Sequence, residues 1–469
     1  MISKEKEGIK ASKKALLATT KAWELQKEDY SRGHLLKKEG KPVVWSCALF
    51  PKEIYWAMDV VPFYPEQAAS LFSVRRLGGS KDLSVPTYSV KYCQIAEAEG
   101  FRDYICGYAR TMLGYVIEGL RTGSWTDAPL GGIPLPDFMI TTSFTCDTRM
   151  KWIETMAQML KVPLFVLDVP EILSDLPAIV PGGRQPILVP QSRLRKGERL
   201  LLATPTDYEL DYMVSQWEDC LSFIEDVTGQ KYNPDKLNEA LDWSYRTAFV
   251  EREIYQLRKA VPAPMSSADG FACAYPRMYL MGTKRCYEFF LALRDELKER
   301  VEQGIGVIPN EKFRLMWYGL PTWFNMGIFN YFEKIGGVFV WETYYNTGLL
   351  PPRRPEDPIK ELAIKCFYQQ LGQITGPTGI GNALSEIVQE ALEYKIDGAV
   401  LSYLITCRYI MFPSTEINKI LAEELDIPSV NLESDLVDER IFAESQALVR
   451  LDAFGEQLLK RKERSGIKH

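Results

Sequence analysis

Pro136-Asp137-Phe138-Met139-Ile140-Thr141-Thr142-Ser143-Phe144 leads through a short turn into residues 150–160 and then into Leu164-Phe165-Val166-Leu167-Asp168-Val169. The outer two runs are apolar and of strand length, whereas 150–160 repeats its apolar residues at helical spacing. A strand, an amphipathic helix and a second buried strand in that order specify parallel pairing with a crossover helix. The turn after the first strand holds Thr145-Cys146-Asp147-Thr148-Arg149. Open parallel sheets collect their ligands along that carboxyl edge.

Working outward, Val43-Val44-Trp45 reads as the first strand. Pro51-Lys52-Glu53-Ile54 opens a helix with proline in its first turn. Val60-Val61-Pro62-Phe63-Tyr64 is a second short strand that ends at Pro65-Glu66. Helices are expected around 67–77 and 90–115, and residues 122–136, with their glycines and prolines, form a loop. Residues 171–200, with several prolines, read as a long connection or an extended domain edge. Their basic run Arg193-Leu194-Arg195-Lys196 is a solvated face or, as the lesser reading, a phosphate clamp.

From 207 to 302 the pattern turns helical. Tyr212, Val214, Trp217 and Leu221 recur near 3.6, as do Leu237, Leu241 and Tyr245, until Pro262-Ala263-Pro264 breaks the run. Strands return at 313–317 and 338–341, followed by a proline-rich loop at 346–358. Gly376-Pro377-Thr378-Gly379-Ile380-Gly381 lacks the lysine and serine of a phosphate loop and reads as a plain turn before a helix near Ala383. Two more strands at 399–404 and 429–432 precede a closing helix at 440–460. The expected fold is α/β, with two Rossmann-like or flavodoxin-like parallel-sheet domains and a mainly helical middle segment. Its expected divisions are a helical arm at 1–38, a first α/β domain at 39–200, helices at 201–304 and a second α/β domain at 305–469. The two α/β halves have room to be distantly similar folds.

A chain of 469 residues exceeds one ordinary core. Hydrophobic residues at 46% and charged residues at 25% are ordinary for a globular protein. A net charge of -6 with no basic block gives nucleic acid no footing. No apolar run approaches the roughly 20 residues of a membrane span. The lysine-rich start, residues 1–14, has no apolar stretch behind it and does not read as a secretory signal, so the cytoplasm is the expected location. Only His34 and His469 are histidines, which leaves no material for a histidine-rich zinc site or a serine–histidine triad. Proton transfers must then fall to carboxylates, hydroxyls or lysines.

Nine cysteines scattered over this length are not an extracellular disulfide framework. The default for each is a small buried hydrophobe. Three stand out. Cys106 lies in Asp103-Tyr104-Ile105-Cys106-Gly107-Tyr108-Ala109-Arg110, while Cys146 and Cys407 (in Ile405-Thr406-Cys407-Arg408) each follow an expected strand. Thiolates converging from these places would suit an iron–sulfur cluster with one iron left free of protein thiolate. Cys47 should alternate away from the side chains of Ser46 and Ala48 and reads as structural. Cys93, Cys220, Cys273, Cys286 and Cys366 lack ligand-like surroundings.

These stretches resemble the 2-hydroxyacyl-CoA dehydratase and benzoyl-CoA reductase family. Its marks are Val44-Trp45-Ser46, Phe50-Pro51-Lys52-Glu53, Tyr64-Pro65-Glu66 and Ile105-Cys106-Gly107-Tyr108-Ala109-Arg110. They continue with Pro136-Asp137-Phe138, Cys146 followed by Met150-Lys151-Trp152, and Leu167-Asp168-Val169-Pro170. Asp397-Gly398-Ala399-Val400, Cys407, Pro428 and Asp435-Leu436-Val437-Asp438-Glu439-Arg440 complete the set. The resemblance, over most of the chain, implies a subunit with a [4Fe-4S] cluster on Cys106, Cys146 and Cys407. It also implies a homologous second subunit carrying its own cluster, an ATP-dependent iron–sulfur activator as electron donor, and an acyl-CoA substrate. Glu66 matches a family glutamate near the substrate and is the expected acid/base, unless it is merely a solvated turn residue. Ser46 is expected to hydrogen-bond the thioester oxygen or the cluster.

The reaction implied is dehydration of a 2-hydroxyacyl-CoA through a ketyl radical. Reduction of an aromatic acyl-CoA ring is the alternative, and it is favoured by Ala48, where the dehydratases tend to carry a further serine. An electron-relay or scaffold subunit is the third reading. Arg110, Arg149 and Arg408 either offset the charge of a thiolate-bound cluster or pair with surface carboxylates.

Overall fold

The computed structural model describes residues 12–144, 146–170, 179–180, 183–184, 206–343, 353, 355–371 and 380–465. The basic run at 193–196, most of the proline-rich loop and the turn at 376–379 lie outside the described residues.

In chain order, α1 (Leu17–Lys38) leads into β1 (Val43–Ser46), α2 (Glu53–Ala57), β2 (Val61–Phe63) and α3 (Pro65–Ser73). Next come α4 (Tyr88–Ala98), α5 (Gly107–Thr122), β3 (Phe138–Thr142), α6 (Asp147–Leu160) and β4 (Leu164–Leu167). A two-stranded pair, β5 (Ile179–Val180) and β6 (Gly183–Arg184), precedes the helices α7 (Asp207–Thr228), α8 (Pro234–Arg258), α9 (Ser267–Ala272), α10 (Ala274–Tyr279) and α11 (Lys284–Glu302). The second half runs β7 (Phe313–Tyr318), β8 (Gly337–Glu342), α12 (Pro358–Leu371), α13 (Ile380–Glu393) and β9 (Gly398–Leu404). It closes with α14 (Arg408–Met411), α15 (Ser414–Glu423), β10 (Ser429–Ser434) and α16 (Glu444–Ser465).

The strands form two four-stranded parallel sheets, ordered β2-β1-β3-β4 and β8-β7-β9-β10. The order is the same in both. In each, the first strand lies between the second and the third, so the chain reverses its direction of winding there. β1, β3, β7 and β8 are buried at every position, which is what sheets covered on both faces require. The helix starts carry the expected caps. Thr206 and Glu209 form a capping box at α7, and Asn233 and Thr283 cap α8 and α11.

One expectation fails locally. The helix read over 90–115 is two helices, because Gly100 at φ +98° ends α4 and a loop intervenes before α5. Cys106 sits at the end of that loop. The two helices then pack closely, with the Tyr92 carbonyl filling the space where a Cβ on Gly114 would stand. No helix among the described residues is long and apolar enough to cross a membrane.

Candidate active site between the two sheets

The carboxyl ends of the two sheets share one cavity of about 140 Å³. Ala48 and Leu49 reach it from the end of β1, Tyr318 and Gly319 from β7, and Leu436 from β10. The points at which the strand order reverses in the two sheets therefore open into a common space, as the topology of open parallel sheets favours.

Cys106, Cys146 and Cys407 all line this cavity. They are also the three cysteines that are partly accessible; the other six are buried. Each is the residue immediately before a helix, at the starts of α5, α6 and α14. Helix starts present unpaired N–H groups and a partial positive charge, which favour thiolate over thiol. The sulfurs also act on one another. Burial first, then Cys407, Asp435 and Cys146, push the Cys106 thiol well above its ordinary range. Burial above all, with Cys146 and Asp435 adding to it, pushes Cys407 up to about 12, against the N–H groups of Ile410 and Tyr409. A bound cation reverses that balance by holding thiolates directly. No group of three or more His, Cys, Asp or Glu side chains among the described residues is arranged to hold a single metal ion.

Glu66 lies in the first turn of α3 and on the cavity wall, and it is 7% exposed. Its Oε1 accepts from the Ala48 N–H at 3.3 Å, and its buried Oε2 has no hydrogen-bond partner among the described residues. Burial raises its pKa above the usual carboxylate range, opposed chiefly by the charge of Arg149. The solvated-turn reading does not describe this environment. Ser46 is placed differently. It is fully buried, accepts from the Tyr55 hydroxyl at 2.6 Å, and is not among the described residues lining the cavity. Ala48, two residues on, occupies the wall instead. Cys47, just past the end of β1, is fully buried in the core.

The three arginines separate. Arg408 makes an exposed pair with Asp147 at 2.6 Å. Arg110 is buried against Asp438 and Glu97 at 2.7 and 2.6 Å. Of the three, Arg149 lines the cavity, where one nitrogen donates to Thr142 Oγ1 at 2.9 Å and to the Phe144 carbonyl while its buried Nε has no hydrogen-bond partner among the described residues. Lys52, outside the cavity lining, is a further buried charge acting on Glu66. Its ammonium donates to the Ala48 carbonyl, lies over the Tyr64 ring, and is held down to about 7 by burial. Nothing in its own sequence neighbourhood announces that burial.

A family model described as 2-hydroxyglutaryl-CoA dehydratase, D-component, matches residues 47–458. The chain belongs to this family. Among its relatives, the (R)-2-hydroxyisocaproyl-CoA dehydratase alpha subunit of Clostridioides difficile is 25% identical over 94% of this chain and 95% of its own length. The lactoyl-CoA dehydratase subunit alpha of Anaerotignum propionicum is 23% identical over 90% of this chain and 92% of its own. A benzoyl-CoA reductase subunit of Thauera aromatica is 24% identical over 91% of each. The proteins named in this family are thus enzymes of two kinds, a lyase and an oxidoreductase, and both names carry a CoA thioester. All three cysteines, Glu66 and Arg149 fall inside the matched span.

Proposed function

We propose that this chain is the [4Fe-4S]-bearing subunit of an oxygen-sensitive radical enzyme that dehydrates a 2-hydroxyacyl-CoA to an enoyl-CoA. The observation that carries this reading is the meeting of Cys106, Cys146 and Cys407, each at a helix start, on one cavity with Glu66 and Arg149. The donor set fits the group: three cysteine sulfurs from separate turns line one cavity and, as thiolates, would be held together by a cationic iron–sulfur core. Held by Cys106, Cys146 and Cys407, such a cluster would supply single electrons at low potential.

The protein's own residues then do the rest. Glu66, its pKa raised by burial, holds a proton for the departing hydroxyl and can afterwards take one from the substrate. Arg149 sets a positive charge beside the anion that develops on the thioester. Apolar walls from Leu49, Ile410 and Leu436 keep water from quenching the radical. A homologous second subunit with its own cluster and an ATP-dependent iron–sulfur activator complete the system, which works in the cytoplasm. The relatives named as alpha subunits support the partner.

Ala48 on the cavity wall favours a second reading, reduction of an aromatic acyl-CoA ring, and the benzoyl-CoA reductase relative supports it. Anaerobic assay of the reconstituted complex with 2-hydroxyacyl-CoA and aromatic acyl-CoA esters decides between them. Enoyl-CoA formation is expected, and ring reduction alone selects the second reading. If the chain binds neither ester, a relay or scaffold role takes their place.

A further inference from the structure

Asp435 is the first residue after β10, and no part of it is exposed. Its Oδ1 accepts the N–H groups of Val437 and Asp438, both at 2.8 Å. Its Oδ2 accepts the Gly107 N–H at 3.3 Å and the Thr406 hydroxyl. Gly107 directly follows Cys106, and Thr406 directly precedes Cys407. A single carboxylate therefore fastens two cysteine-bearing turns that come from different halves of the chain. Gly107 contributes through the side chain it lacks, since a Cβ there would run into the Asp435 carboxylate.

The surrounding charges do not cancel. Arg110 stands 3.8 Å from Asp435 but gives its close contacts to Asp438 and Glu97, which Arg440 also engages. Three carboxylates thus face two guanidinium groups, leaving one negative charge within the network. Adding an electron next to a fixed anion is unfavourable, and more so where water is excluded. Cluster potentials respond to net charge and hydrogen bonding in this way.

We propose that Asp435 is a positioning residue of the cluster site, fixing Cys106 relative to Cys407 and holding a negative charge beside them that lowers the cluster's reduction potential. The proposal rests on the ligand assignment made above.

The test is an EPR-monitored redox titration of the reconstituted, oxygen-free holoprotein. Asp435→Asn keeps the shape and removes the charge, so its midpoint is expected to shift to higher potential with iron content near wild type. Thr406→Val removes one donor from the carboxylate and leaves its charge less screened, so its midpoint is expected to fall. A loaded Asp435→Asn protein with an unmoved midpoint overturns the proposal. If that variant fails to load iron, Thr406→Val decides alone, an unmoved midpoint again refuting the role. A wild-type chain that takes up no cluster defeats the ligand assignment instead, so the two failures are distinguishable.

Discussion

The first and second sheets share a strand order, and corresponding turns can be compared one by one. After the third strand each places a cysteine before a helix, Cys146 in one half and Cys407 in the other. After the fourth strand each places an aspartate, and here the halves part. Asp168 is exposed and accepts hydroxyls from Ser143 and Tyr212 at 2.6 and 2.7 Å, while Asp435 is sealed between two cysteine turns. Past the second strand the first half offers Glu66, the second Thr343, whose hydroxyl accepts from the Gly319 N–H at 2.7 Å. Cys106, which precedes α5, is matched by no cysteine in residues 372–379 ahead of α13. A repeated scaffold has thus acquired different chemistry purely through its turns.

The sharpest way to break the comparison is to remove its matched pair. Cys146→Ser and Cys407→Ser should each lose most cluster iron, as should Cys106→Ser, while Cys366→Ser, buried against the core, retains it. Iron analysis and the cluster's absorption spectrum check this. Next comes the unmatched carboxylate: Glu66→Gln should keep the cluster but slow turnover by about 10²-fold, within the usual range for a lost acid/base group. Rates like wild type would return Glu66 to a structural role.

The seam between the halves gives a third test. Glu53 of α2 is fully buried against Lys365 of α12 at 2.8 Å, with the Ser244 hydroxyl as a further donor. Lys365→Met strands that carboxylate and should cost about 3–5 kcal/mol in denaturant unfolding. A smaller effect is pH-dependent. Burial holds Lys52 at about 7 rather than 10.5, so between those values the unfolded chain binds more protons than the folded one. The penalty for burying its charge is full below about pH 7 and gone above about pH 10.5. Lys52→Met should therefore gain stability relative to wild type near pH 6, and part of that gain should vanish by about pH 9. Least of all, Asp168→Asn should stay within about 0.5 kcal/mol of wild type and leave the cluster's midpoint alone, in contrast to Asp435→Asn.

The strand–helix–strand unit around β3 and β4 was legible because its apolar runs are short, bounded and buried, and the period changes cleanly between them. For the same reason Cys146 and Cys407 could be assigned to strand ends. The break before Cys106 was missed: the apolar spacing continues across it, and a single glycine carries the signal. That the sheets share one order could not be read, since order is set by which distant strands pair and not by any local pattern. Glu66 in the turn Pro65-Glu66 gave no sign of whether it faced solvent or a cavity. Ser46 looked well placed for substrate until Tyr55, nine residues later, proved to hold its hydroxyl. Asp435 is the hardest case, because Gly107, the partner that ties it to the first half, lies 328 residues away.

The cavity draws on both sheets, and this has a bearing on biogenesis. A ribosome that has finished the first half has made only two of the three thiols, and the third emerges with β9 near the end of synthesis. Loading of the proposed cluster would therefore have to wait until both halves have folded and docked, and a chain cut short before Cys407 would keep the first sheet without a complete set of ligands.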